Sequence, residues 1–330
     1  MTVRNLLWEV ARSPKKRALP ILSFPASQKL NATVEQMVTT PQLQAQAMEI
    51  IACQTDTLAA VGLMDLSVEA EAFGADVHFF ADEVPVVVGQ LICSYEDAQN
   101  LQVPDLSKGR AGMCVEGVRL AKARISHKPV LAGMIGPFSL AGRLMDVTEI
   151  IYTCYDEPET VHMVLQKATD YLIQYGLAMK NAGADGIMMA EPLAGILSPG
   201  MAAEFSVPYV TRIVDALKDE NFTMIYHNCG NSVSNMLPEI FSQGADAYHF
   251  GNAVDMEQVL QNAPADILCM GNIDPATQFT NGTVDSIRQA TKHLMERCGG
   301  YQNFIPSSGC DIPALASWDN IQAFFQAIDG

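Results

Sequence analysis

From residue 18 onward, short apolar runs alternate with stretches whose apolar residues recur at helical spacing. The runs at Arg17–Phe24, Leu63–Ser67, Pro129–Ile135, Gly186–Ala190, Thr223–Tyr226, Ala247–Phe250, Ile267–Met270 and Asn303–Ile305 read as strands. Helical spacing predicts helices over Pro41–Thr57, Lys108–Ser126, Glu159–Asn181, Met201–Lys218, Ser232–Ser242, Met256–Asn262, Thr283–Cys298 and Ser317–Ile328. Val77–Phe80 and Val84–Ile92 read as a hairpin. Strands that are apolar on both faces belong to a buried parallel sheet. Right-handed βαβ units repeated about eight times close into a TIM (β/α)8 barrel, and that is the predicted fold. The rival is an open doubly wound sheet. No GxGxxG or P-loop follows the first strand, and polar side chains stand at the ends of many strands rather than at one crevice. A single domain over 1–330 is expected, with an N-terminal helical extension, about residues 1–16, outside the barrel.

Composition narrows the partners. At 330 residues and 49% hydrophobic content, the chain can build one large core. A net charge of −17 argues against nucleic acid and anionic membrane surfaces. The basic residues near the start (Arg4, Arg12, Lys15, Lys16, Arg17 and Lys29, against Glu9) read as a solvated surface. The amino terminus has no signal-type apolar core, and the longest uncharged apolar stretch, Pro129–Gly142, is too short and too punctuated to span a bilayer. Eight widely spaced cysteines do not form a disulfide framework. The chain therefore reads as cytoplasmic, with reduced thiols.

Candidate chemistry concentrates on three residues. His227 and Cys229 form an HxC pair in TMIYHNCGN, and Cys310 follows another apolar run in NFIPSSGCDIP. Side chains at i and i+2 of a strand share a face. Two strand ends can thus offer an imidazole and two thiolates to one zinc ion, with a coordination position left open for substrate. Taken alone, HxC is more often a hydrogen-bonded histidine beside ordinary buried thiols, and it is the surrounding blocks that favour the metal. Glu191, after the run Gly186–Ala190, is expected at the barrel mouth, as a fourth ligand, a thiol-proton acceptor, or a loop cap. Glu71 in DLSVEAEAFG is a candidate lining residue. His249 in AYHFGN is read as assisting proton handling or as a hydrogen-bonded rim histidine. Asp274 is read equally as a helix cap or as a residue that touches substrate.

These blocks, together with IGPFSLAG (135–142), AGADGIMMAEPLAG (182–195) and GNIDP (271–275), make the chain resemble the uroporphyrinogen decarboxylase superfamily. Within it, the chain looks most like the methylcobalamin:coenzyme M methyltransferases, from about Leu6 to Ile328. The resemblance implies a zinc ion held by His227, Cys229 and Cys310. It also implies methyl transfer between a methyl-corrinoid and a small thiol. The chain has no DxHxxG-type cobalamin-binding block, so the corrinoid is expected on a partner protein or free. The reverse direction, demethylating a small methylated substrate, is an alternative. Decarboxylation of uroporphyrinogen fits less well, because LPILSFPASQKL (19–30) contains no arginine where that polyanion needs several.

Overall fold

The computed structural model describes residues 2–329. Seven parallel strands form one sheet in the order β1 (Ala60–Val61), β4 (Val130–Ile135), β5 (Gly186–Ala190), β6 (Thr223–Asn228), β7 (Ala247–Phe250), β8 (Leu268–Ile273), β9 (Phe304–Ser308). A separate antiparallel hairpin, β2 (Asp76–His78) with β3 (Val86–Val88), is where the valine pattern placed it. The long strands are buried almost throughout, as a sheet with both faces covered requires.

Alternation sorts each strand into two faces. Leu131, Met188, Ile225, Ala247, Leu268 and Ile305 meet in one inner cluster. Met189, Met224, Tyr226, Tyr248 and Phe304 turn outward to the helices. The first helix, Val3–Arg12, adds Val3, Leu7, Val10 and Ala11 to the inner cluster. Lys16 Nζ, just beyond that helix, donates to Tyr301 O ahead of β9 at 2.9 Å, and Arg4 reaches Asp246 ahead of β7 at 3.5 Å. The helix therefore lies at the strands' N-terminal ends and leaves the opposite ends open.

An eighth strand was expected in Arg17–Phe24. The segment does lie between β9 and β1. Leu19 N–H donates to Pro306 O (3.1 Å), and Ala18 O accepts from Leu58 N–H (2.9 Å). It forms no ladder among the described residues. Pro20 has no N–H to give. Two serines take over instead: Ile21 N–H donates to Ser308 Oγ (3.1 Å), and Ser307 Oγ donates to Leu19 O (2.7 Å).

Four further expectations are corrected. Leu63–Ser67 is not a strand, because the β1 ladder ends at Val61 and Asp65 folds the chain back by accepting from Ser67 N–H (3.1 Å). Met201–Lys218 divides at Ser206 into Pro199–Phe205 and Val207–Leu217, where Pro208 begins a new helix. Ser232–Ser242 is a 3-10 turn, Val233–Asn235, followed by Leu237–Phe241, again begun at a proline. After β4, Pro137–Met145 and Val147–Asp156 form two helices that periodicity did not reveal. Pro137 at the first helical position starts one. Asp146 starts the other, its carboxylate accepting from Thr148 and Glu149 N–H.

Candidate metal centre

His227 is the third inward position of β6, after Thr223 and Ile225, and Cys229 continues the same face just past the strand. Cys310 lies two residues beyond β9, separated from β6 by β7 and β8. Both loops are pinned. Asn228, pointing to the opposite face, accepts from Gly230 N–H (2.9 Å) and donates to Tyr226 Oη (3.0 Å). Gly309 N–H donates to Ile273 O (2.6 Å), and Ile312 N–H donates to Ile21 O (3.0 Å). Gly251 is glycine for want of space: a methyl group there would sit 2.5 Å from Cys229 Cα. The result is a close cluster. One nitrogen of His227 and the sulfurs of Cys229 and Cys310 lie within 4.8 Å of one another, and Cys310 Sγ is 3.5 Å from His227 Nε2. A soft donor set of one imidazole and two thiols at this spacing fits a zinc ion and leaves a position open.

His249, the register partner of His227 on β7, stands behind it. Its Nδ1 is 2.8 Å from His227 Nδ1, and its Nε2 is 2.7 Å from Ser307 Oγ. The single Ser307 hydroxyl proton goes to Leu19 O, so Ser307 accepts from His249 Nε2–H. Burial, and then the neighbouring His227, hold His249 well below the ordinary imidazole range, so it is neutral. Its bare Nδ1 must therefore accept from His227 Nδ1–H. The relay holds the ring so that Nε2, the nitrogen opposite the bond to His249, faces the two sulfurs.

The sulfurs also act on each other. Hydrogen bonding between them lowers the Cys229 pKa and, with burial, pushes Cys310 up to about 12. All eight cysteines are free thiols.

The cluster opens into a cavity of about 510 Å³. Ile21, Phe24, Met64 and Leu66 give it apolar walls, and the hairpin loop at Asp82–Pro85 forms part of the rim. That volume suits a small molecule.

The other sequence candidates are placed elsewhere. Glu191 does not face the mouth, because it follows inward-facing Ala190 and so turns to the outer side, where Ser139 N–H donates to its carboxylate at 2.9 Å. Burial raises it to about 8, against the pull of the Ser139 and Phe138 amides. Glu71 does not line the cavity either; Arg110 Nε donates to it at 2.7 Å. Arg110 also pairs with Asp65, and its Nη2 donates to Ser67 Oγ (2.8 Å). Asp274 takes the first of its two readings, capping the following turn through Ala276 and Thr277 N–H. Sequence reasoning missed Ser307, Arg143 and Asp311. Alternation along β9 places Ser307 inward with Ile305, and Arg143 is the first charge after the long uncharged stretch ending at Gly142. Asp311 lines the cavity beside Cys310, its carboxyl raised by burial and then by Cys310.

The uroporphyrinogen decarboxylase (URO-D) family profile matches residues 17–330. The chain belongs to that family. Two kinds of relative are found within it. A methylcobamide:CoM methyltransferase, MtbA of Methanosarcina acetivorans, is 26% identical over 335 residues, covering 97% of this chain and 96% of its own. A uroporphyrinogen decarboxylase of Xylella fastidiosa is 27% identical over 249 residues, covering 72% and 69%. Among solved structures, a methyltransferase from Methanosarcina mazei superimposes with a TM-score of 0.87 at 22% identity, covering 100% of this chain and 98% of that one, which establishes a shared fold. Membership alone therefore spans two chemistries, and the site has to choose between them. Among the described residues no helix is long and apolar enough to cross a membrane.

Proposed function

We propose that this protein is a zinc-dependent methyltransferase that moves a methyl group between a methyl-corrinoid and a small thiol. The observation that carries the reading is the cluster of His227, Cys229 and Cys310 at the wall of the cavity. These three residues hold the ion; the similarity to MtbA over nearly its full length supports the same reading. Zinc bound there supplies positive charge that strips a substrate thiol of its proton and holds its sulfur in place.

The chain's own residues prepare that event. Cys229 and Cys310 give up their protons on binding the ion. His249 and Ser307 keep the His227 Nε2 lone pair turned inward. The apolar walls exclude water, which would solvate and blunt the attacking sulfur. The sulfur then forms its bond to the methyl carbon as the cobalt–carbon bond breaks, and both electrons of that bond leave with cobalt. The corrinoid arrives on a separate protein or free, at the mouth, in the cytoplasm. For the scaffold, we take residues 18–22 as the eighth stave of a closed barrel, supported by their backbone bonds to Pro306 and Leu58. Decarboxylation of uroporphyrinogen is disfavoured by residues 19–30, which enter the cavity through Ile21 and Phe24 with no arginine among them.

The test is to purify the protein, measure zinc, and mix it with methylcobalamin and a panel of small thiols. About one zinc per chain and loss of the methyl–cobalt absorption band with at least one thiol are expected. Turnover of uroporphyrinogen, or a zinc-free protein that still transfers methyl, would reject the reading. Silence with every thiol, with zinc present, would favour the demethylating direction.

A further inference from the structure

Large apolar side chains left in water are concentrated on one part of the surface. Among the described residues eleven are exposed, and eight of these fall in two segments, 84–95 and 147–155. Val84, Val86 and Val88 belong to the hairpin, and Leu91 and Tyr95 to the chain just after it. Val147, Tyr152 and Tyr155 belong to the helix Val147–Asp156, and its two tyrosines are 62% and 70% exposed. Backbone bonds join the segments. Leu91 and Ile92 N–H both donate to Leu144 O (2.9 and 3.0 Å), and Gln90 Nε2 donates to Met145 O (2.6 Å). Between them runs a groove of about 220 Å³, with Gln90 and Ser94 on one wall and Glu149, Tyr152 and Asp156 on the other. The face reaches the mouth of the metal cavity. Val84 and Val86 line that cavity, and its residues Arg143 and Pro192 also border a small hollow that holds Val147.

The charges of this face have one sign. Residues 79–107 and 144–166 contain ten aspartates and glutamates and neither lysine nor arginine, so they carry −10 of the chain's net −17. All ten are exposed, and among the described residues none has an ion-pair partner. The one histidine there, His162, is turned to Tyr209 (2.8 Å) and Glu204 (3.4 Å). Lys167, just past the second segment, is taken up by the carbonyls of Ala98 (2.7 Å) and Gln99 (2.8 Å). Arg143, just before it, lies in the cavity wall. An exposed apolar patch rimmed by polar groups marks an interaction surface, and the charge decides what covers it. Nucleic acid and anionic membrane would be repelled. A second copy, meeting this face with its own, would set ten unpaired carboxylates against ten.

We propose that the hairpin and the helix Val147–Asp156 together dock a separate protein whose contact surface is apolar and rich in lysine and arginine, seated beside the open end of the cavity. This inference stands on the surface alone and does not rest on the methyl-transfer reading. Docking buries the valines and the tyrosine rings while the tyrosine hydroxyls keep a polar partner, which is why tyrosine suits an interface. The carboxylates around them gain the counter-charges that this chain withholds, and they set which partners are admitted and how fast they arrive.

The test uses the whole protein and a defined probe, a fluorescent amphipathic helical peptide of leucine and lysine, followed by anisotropy. The peptide should bind saturably, and added salt should weaken it. The same peptide with glutamate in place of every lysine should not bind. Glu149→Lys, Asp156→Lys and Glu157→Lys made together should weaken binding about 10-fold or more. Tyr152→Ser with Tyr155→Ser should also weaken it about 10-fold, with circular dichroism unchanged in both variants. Asp215→Lys, Asp266→Lys and Glu296→Lys change the net charge equally at exposed carboxylates elsewhere and should leave most of the binding intact. Equal losses in the two charge-reversed variants would show attraction to net charge alone and overturn the proposal. So would a lysine peptide that does not bind, a glutamate peptide that does, or wild-type affinity in the tyrosine variant. Two further arms test the other occupants. A dimer in sedimentation that the tyrosine variant abolishes would give the face to a second copy. Binding to phosphatidylglycerol or phosphatidylcholine vesicles that the same variant abolishes would give it to a membrane. Either result overturns the assignment to a separate protein.

Discussion

The ends of β1, β4 and β5 and the ends of β6 and β9 carry comparable numbers of polar side chains, and the protein uses them in opposite ways. On the first side, Asp65 and Glu71 accept from Arg110, Glu69 accepts from Ile135 N–H, and Glu191 accepts from Ser139 N–H. These are carboxylates spent on the fold. On the second side, His227, Cys229 and Cys310 face one another, and the bonds behind them orient donor atoms without consuming them. A polar residue at a strand end is therefore a candidate for chemistry only if a free lone pair reaches the cavity once the backbone has folded. Glu191 fails that criterion, because one oxygen accepts from Ser139 N–H and the other is buried away from the cavity, while His227 lines it.

The sharpest way to break the contrast is to remove a free donor. Cys310→Ala or Cys229→Ala should reduce bound zinc from about one per chain to a small fraction and abolish methyl transfer. Thermal unfolding should change little, since no packing element depends on either sulfur. Wild-type zinc content in both variants would refute the site. Removing the metal should behave likewise: chelation should end activity and leave far-ultraviolet circular dichroism intact, because the inner cluster at the other end of the strands contains no ligand. Collapse on chelation would mark the ion as structural.

The next effect concerns the relay. His249→Phe removes the acceptor for His227 Nδ1–H, and zinc affinity should drop about 10–100-fold. His249→Gln, which can both accept and donate, should restore part of it. Equal losses in the two variants would show that His249 only fills space.

The carboxylate side should appear in stability instead. Burial raises Glu69 to about 7 and Glu191 to about 8. An acid with a raised folded-state pKa keeps its proton when the unfolded chain has lost it. Stability should therefore fall as pH rises from about 4.5 to 8, and level off beyond. Glu191→Gln should flatten that slope by on the order of 5 kcal/mol across the range, measured by urea unfolding at several pH values. An unchanged slope would mean that the carboxyl is solvated. The smallest effect is expected for Ser307→Ala, about 1 kcal/mol, with a modest loss of zinc affinity.

How much of this was legible beforehand follows from the same contrast. The strands Gly186–Ala190 and Ala247–Phe250 were readable to the residue, because burial on both faces writes an unbroken apolar run. The HxC pair was readable because a period of two is local. Glu191 was misplaced by one position of that same period: being at a strand end does not say which face a side chain takes, and Ala190 had already taken the inner one. Arg143 left one trace, as the first charge after a long uncharged stretch, but that spacing does not say which part of the fold its side chain reaches. The two helices after β4 were hidden for opposite reasons: Pro137–Met145 is buried nearly all round, whereas Val147–Asp156 buries Ile150 and Cys154 and leaves Val147, Tyr152 and Tyr155 exposed, so in neither does an apolar stripe mark the buried face.

The segment at residues 18–22 carries a consequence for how the chain comes into being. Its bond from Ser307 Oγ to Leu19 O joins residues 288 apart, and Val3–Arg12 packs beside β8 and β9. The helix and the segment after it are thus made long before two of the strands they sit against. Until β9 leaves the exit tunnel, the amphipathic helix Val3–Arg12 lacks part of the surface it covers, and His227 and Cys229 have no Cys310 to meet. The metal site is therefore completed only after β9 has been made, and the earlier segments must be kept from aggregating until then.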